Sequence, residues 1–186
     1  MASPIQTDPL PAPSPDRVRV AFRELHARRL HGFAQLLVLG DRALAARLAA
    51  EALTAGTQRI DALRHPERAA AWLRRHVVDH AGSIAAGGAQ AVDRNTLGDL
   101  GADDGVVAGL ALLGRRERAA LIASAIERLD RRDVATIVGR DGGALDQLLR
   151  NARQRFLEGY TAVVREPIGD GPLAARIRAV AEHALT

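Results

Sequence analysis

The stretch 133-DVATIVGRDGGALDQLLRNARQRF-156 decides the fold. Val134, Ile137 and Val138 recur three and four apart, the spacing of one buried helical face. Gly139 ends that pattern, the chain turns through Arg140 and Asp141, and a second helix follows. Ala135 is small enough to let two helices approach, Gly139 permits a left-handed turn, and Leu145 anchors the second helix on the first. This spacing predicts a helix-turn-helix. Any tight helical hairpin shows part of the pattern, so the flanks must be read with it.

Working outward, nearly everything after Asp16 reads as helix. From Arg17 to about Leu39, Val18, Phe22, Leu25, Leu30, Phe33, Leu36 and Leu37 recur mostly three and four apart, an amphipathic pattern. Gly40-Asp41 interrupts it, and Asp41 suits the N-cap of a helix over about 42–60 that packs through Leu44, Leu48, Ala52 and Leu53. "RHPER" (64–68) is a turn with Pro66 placed for a first helical turn, and the next helix carries Trp72, Leu73, Val77 and Val78. From Ala81 to Gly109 the chain is rich in Gly, Asp and Ala, which predicts a linker. "LALLGRRERAALIASAIERL" (110–129) then reads as a helix burying Leu113, Leu121, Ile122, Ala125, Ile126 and Leu129. After Tyr160, "REPIGDGPL" is a break, and "PLAARIRAVAEHAL" (172–185) reads as a last helix with Leu173, Ile177, Val180 and Ala184 on one face. No strand or internal repeat is evident.

The expectation is an all-α protein of two small helical domains joined by a flexible linker, plus a C-terminal helix. Its parts are a disordered arm over 1–16, a helical domain over 17–82, a linker over 83–109, a helix-turn-helix domain over 110–162 and a tail over 163–186. Apolar content of 47% is globular, and 3% aromatic content leaves the core to Leu, Ala, Val and Ile. All 26 basic residues are Arg, but the net charge is only +4, a mild signal for a polyanion partner. The absence of Cys excludes disulfides, thiol catalysis and thiolate metal sites. No apolar run approaches the ~20 residues of a membrane span. "MASPIQTDPLPAPSPD" has five prolines and no basic-then-apolar layout, so a soluble cytoplasmic protein is expected.

Other constellations read as structure. His76 and His80 sit one turn apart beside Asp79, but no third ligand is evident, so they read as ordinary histidines rather than a metal site. Trp72 reads as a core anchor. The pairs Arg28-Arg29, Arg74-Arg75, Arg115-Arg116 and Arg131-Arg132 read as solvated faces, with Arg74-Arg75 the best phosphate contact of the first domain. "GRDGG" lacks the Lys-Ser/Thr of a phosphate loop. No Ser-His-Asp or paired-carboxylate arrangement stands out, so the chain reads as a non-enzyme without cofactor.

With its flanks, the opening stretch resembles the second conserved domain of extracytoplasmic-function sigma factors, the bacterial initiation subunits of RNA polymerase. The resemblance rests on Arg116-Glu117-Arg118, Asp133-Val134-Ala135, Ile137-Val138-Gly139 and Asn151-Ala152-Arg153. "FRELHARRLHGFAQLLVLGD" (22–41) and "RHPERAAAWLRRHVVDH" (64–80) resemble the opening helix and the promoter-melting region of the same family. The likeness covers roughly 20–80 and 110–160, in the family's order. It implies RNA polymerase core and double-stranded promoter DNA as partners, no membrane and no cofactor. Asp41, Arg47 and Glu51 would face polymerase. Arg140, Gly143, Ala144, Gln147, Arg150 and Arg153, with Arg74 and Arg75, would face DNA.

Scaffold positions agree with the family while contact positions depart from it. Arg47 and Ala50 stand where an Asp and a Gln are usual, and "AGSIAAGG" (81–88) replaces an Arg-rich run. Ala144, Asp146, Gln147 and Leu148 stand in place of the usual Thr, Lys, Ser and Arg. Each lost base contact costs on the order of 1–3 kcal/mol. Arg140, Arg150, Arg153 and Arg155 are left to grip backbone and Gln147 to read an adenine. One rival reading follows: a sigma-derived interaction protein that mimics a sigma factor or binds an anti-sigma or other protein partner without promoter recognition. Another is a stand-alone DNA-binding regulator that uses the C-terminal domain alone.

Overall fold

The computed structural model describes residues 14–63, 65–84 and 91–164. It is all-α, with no strand among the described residues. In chain order the helices are α1 (Pro15–Leu37), α2 (Arg42–Gln58), α3 (Pro66–Ile84), α4 (Arg94–Asp99), α5 (Asp104–Leu112), α6 (Arg115–Leu121), α7 (Arg131–Val138) and α8 (Gly142–Val163). A π-helical turn, Ile122–Ile126, extends α6. Side-chain caps start most of them, each satisfying an amide that helix geometry orphans. Asp41 accepts from the Leu44 amide at 2.9 Å, Asp103 from Val106 at 2.8 Å, and Asp130 from Asp133 at 2.8 Å.

α1, α2 and α3 pack together through Leu30, Phe33, Leu48, Ala52, Leu73 and Val77, all fully buried. α5, α6, α7 and α8 pack through Leu110, Leu121, Ile137, Leu145, Phe156 and Tyr160. The apolar cluster runs without interruption from Phe22 to Tyr160, so the two sets of helices share one core. This departs from two domains with separate cores on a flexible linker.

The reason lies in the Gly- and Asp-rich segment read as that linker, 83–109. It contains α4 and most of α5, and Leu97, Val106 and Val107 are buried. Gly109 is a contact position: a Cβ there would come within 2.8 Å of the Phe156 ring and 2.9 Å of its carbonyl. Across the same seam, a Cβ at Gly159 would meet the Ala108 carbonyl at 2.7 Å. Glycines that look like loop punctuation here let α5 and α8 approach backbone to backbone. Periodicity cannot separate the two uses. α1 also starts slightly before the expected arm boundary, at Pro15 behind the N-cap Ser14. The rest of that arm, residues 1–13, and the tail helix over 172–185 lie outside the described residues.

Polar staples join the two sets. Arg74 of α3 grips Glu127, which follows the π turn, through Nε to Oε2 at 2.6 Å and a second bond to Oε1. Their side chains are 5% and 3% exposed. The Arg74 guanidinium also lies 5.7 Å from the centre of the Phe33 ring. Arg118 donates to the carbonyl of Leu37 at the end of α1, and to those of Leu110 and Leu113 at 3.0 and 2.8 Å. Burial pushes its guanidinium down to about 10, so it stays charged at neutral pH.

Candidate nucleic-acid interface

α7 and α8 are joined by a tight turn at Gly139, where the sequence predicts a helix-turn-helix. Asp130 caps α7, and the Gly139 and Arg140 amides both return to the Ala135 carbonyl, at 2.9 and 3.2 Å. Gly139 is left-handed, with φ +63° and ψ 40°. Space constrains it as well, because a Cβ would lie 2.5 Å from the Arg75 guanidinium. Leu145, Ala152 and Phe156 are buried, and together they define one face of α8. The opposite face carries Gly143, Gln147, Arg150 and Gln154, all exposed, flanked by exposed Asn151 and Arg153. Arg140 in the turn and Ala144 in the first turn of α8 are exposed too.

This face is internally tied. Arg150 donates to Gln147 Oε1 at 2.6 Å, and Gln147 Nε2 donates to Asn151 Oδ1 at 2.7 Å. Asp141 begins α8 without capping it through its side chain. Amides at a helix start favour an anion in front of them. Arg140, Gly143, Ala144, Gln147, Arg150 and Arg153 therefore belong to one accessible surface that combines cations, amides and small residues.

Asp146 has a role the sequence did not reveal. Arg131, the first residue of α7, forms an ion pair with it and also donates to the Gly142 carbonyl at 3.0 Å. The clamp ties the start of α8 to α7. The bond from Arg131 holds the Asp146 carboxyl below its usual range, and Asp146 in turn raises the Arg131 guanidinium. The carboxylate thus carries its own counter-charge and is a weaker repellent of phosphate than its sequence position suggests.

Arg74 and Arg75 are not part of this surface. The expectation that Arg74 contacts phosphate is corrected by its burial against Glu127. A guanidinium taken out of water is stable only when its donors are matched, and Glu127 and the Ala70 carbonyl match them. Arg75 bonds Asp79 at 2.7 Å and reaches across to the Thr136 carbonyl of α7 at 3.1 Å. Arg74 is committed to the seam with Glu127, whereas Arg75 ties α3 to α7 and stays half-exposed.

Further along α3, Trp72, His76 and His80 stack in a column with centroid spacings of 5.3 and 3.9 Å, and Arg59 lies 5.6 Å from the centre of the Trp72 ring. Burial first, then neighbouring His80, holds His76 below the ordinary histidine range. No group of three or more His, Asp or Glu residues suited to a metal occurs among the described residues.

Of the residues expected at polymerase, Asp41 is an exposed N-cap, and Arg47 and Glu51 are exposed one turn apart on α2. The Arg-Glu-Arg motif is structural here. Glu117 accepts from the Gly114 amide and from Arg155, both at 2.8 Å, and Arg118 is the buried staple. Arg155 is therefore partly committed and less available for backbone contact. The roles of Glu127, Arg131 and Asp146 escaped sequence reading; only the opposite charges of Arg131 and Asp146 hinted at them. No family model, curated protein or solved structure matches the chain.

Proposed function

We propose that the chain is a sigma-like transcription protein, not an enzyme, that acts on double-stranded DNA and RNA polymerase core in the cytoplasm. α8 enters a major groove with Gln147 toward base edges, and Arg140, Arg150 and Arg153 take phosphates. Exposed Arg47 and Glu51 on α2 face the polymerase. The observation that carries the reading is the exposed Gly143–Gln147–Arg150 face of α8, lying opposite Leu145 and Ala152 in a helix-turn-helix. The resemblance of the scaffold residues supplies the rest.

The test is DNA binding followed across salt, together with capture of core polymerase. Each phosphate that an arginine neutralises contributes ~0.9 to the slope of log K against log salt. A slope of about −3 or steeper with core capture supports the reading. Salt-independent or absent binding, with no core bound, ends it.

A second reading is a sigma-like protein-interaction module that makes no promoter contact. The burial of Arg74 favours it, because it removes one of the two guanidinium groups of α3 that would serve the melted strand, and the bond from Arg75 to the Thr136 carbonyl commits part of the other. Core capture without DNA binding selects this reading.

A further inference from the structure

Three of the five large apolar side chains exposed among the described residues lie on the first half of α1: Val18, Val20 and Leu25. Val18, Phe22 and Leu25 fall three and four apart, a stripe that rises about 10 Å along the helix at ~1.5 Å per residue. The stripe is one wall of an open groove of about 320 Å³, faced by Ile60, Leu63 and Pro66. His26 lines the same groove. It is 7% exposed, and its Nε2 is buried with no hydrogen-bond partner. Native structures rarely leave such an atom unmatched, and clustered exposed apolar side chains mark contact surfaces. An apolar occupant that also brings a hydrogen-bonding group satisfies both.

The shape of the groove selects a helix. Its long wall has helical period, which suits an occupant with apolar residues three and four apart. No strand occurs among the described residues, so no sheet edge is offered to an extended peptide. Phe22 lies at the floor, 8% exposed, where a flat lipid surface would not reach.

Charge selects an acidic one. Arg17 extends the α1 stripe at one end, four residues before Ala21, and Arg28 and Arg29 extend it at the other, three and four beyond Leu25; all three are exposed. Over its whole length α1 carries five arginines against two carboxylates, Asp16 and Glu24, and Asp16 already bonds Arg19 at 3.3 Å. On the facing wall Arg59 and Arg68 are balanced by Asp61 and Glu67, so α1 sets the sign. A second copy of α1 seated here would bring arginine against arginine, whereas carboxylates complement the rim.

We propose that the groove seats a short amphipathic helix of a partner protein, apolar toward Val18, Phe22 and Leu25, with carboxylates toward Arg17, Arg28 and Arg29 and one polar group toward His26. None of the groove residues belongs to the α8 face or to the exposed α2 pair Arg47 and Glu51, so the site is independent of the DNA reading.

For the test, a displayed library of peptides about 16 residues long, above the length at which isolated helices are marginal, is selected on the full chain. Enriched peptides are then titrated by fluorescence anisotropy. They are expected to place apolar residues three and four apart with Asp or Glu beside them. Leu25→Glu, at a position 59% exposed, is expected to weaken them at least about tenfold, and Val163→Glu on α8 to leave them unchanged. Arg28→Glu with Arg29→Glu should also weaken them and flatten their salt dependence, a second readout if Leu25→Glu misfolds. No enrichment, basic or unpatterned sequences, or an affinity that either folded variant leaves unchanged overturns the proposal. Sedimentation of the native chain as a dimer that Leu25→Glu abolishes places a second copy in the groove and overturns it. Cosedimentation with phosphatidylserine vesicles that Leu25→Glu abolishes places a membrane there and does the same. Enrichment only after removal of 1–13 or 165–186 shows that the chain covers its own groove, which overturns it as well.

Discussion

Two regions of this molecule use the same side chain in opposite ways. At the seam between the two helix sets, Arg74 and Arg118 are buried, and their donors end on Glu127 and on main-chain carbonyls. On the outward face of α8, Arg150 and Arg153 are exposed, and Arg140 stands out from the turn. The first use costs desolvation and is stable only with matched partners; the second costs little and keeps charge available. Arginine content alone is therefore a poor guide to nucleic-acid binding. What matters is which guanidinium groups have already been satisfied by the fold.

The sharpest way to break the comparison is Glu127→Ala. It strands the Arg74 guanidinium at the seam, and the loss expected for a broken buried pair is roughly 3–5 kcal/mol. Replacing both partners, Arg74→Met with Glu127→Leu, is expected to recover most of that. Urea unfolding measures both, and a loss below ~1 kcal/mol for Glu127→Ala would mean that the seam is open in solution.

Next in size is Gly139→Ala, which sits between the two regions. A left-handed residue with a Cβ costs about 1–2 kcal/mol, and Arg75 must also move off α7. For a chain of this length the melting temperature should fall by several degrees, at ~2–4 °C per kcal/mol. An unchanged melting curve would show that the turn relaxes and that Arg75 is not held there.

On the outward face the effect belongs to affinity. Arg150→Ala and Arg153→Ala are each expected to lower the salt slope of DNA binding by ~1 and to leave stability within about 0.5 kcal/mol. Fluorescence anisotropy between about 50 and 200 mM salt reads the slope. Arg74→Met/Glu127→Leu should leave it unchanged, and a drop there would assign Arg74 to the interface after all.

The smallest effect is in pH. Burial first, then the nearby Arg74 charge, holds His26 below its ordinary value of 6.5. The unfolded chain then binds the proton at higher pH than the folded one. The neutral form favours folding above about 6.5, and stability is lost as pH falls through that value toward the folded one. His76 contributes with the same sign. Urea midpoints at about pH 7.5 and 5.5 should separate in the native chain and draw closer in His26→Leu. Equal separation in both would show that His26 is solvated.

Much of the scaffold was legible because it is written locally. Asp41, Gly139 and the apolar repeats act within a few residues, so a cap, the turn and the helix faces could be read from the chain alone. α5 was misread because Gly105 and Gly109 serve a neighbour, α8, that lies far along the chain. The exposed face of α8 was legible in outline, since the buried positions Leu145 and Ala152 imply their opposite. Asp146 was not, because its partner Arg131 stands on the preceding helix.

By itself, then, the sequence determined an all-α chain, its turn at Gly139 and the residues that α8 turns outward, because helix periodicity and capping are short-range. Only the tertiary structure decided which charges remain free. Arg74 meets Glu127 across 53 positions and Arg118 meets Leu37 across 81, and no local pattern reports such pairings. Desolvation makes those meetings all or nothing: once the seam closes, each buried guanidinium must be matched, and it is then no longer available to bind anything else.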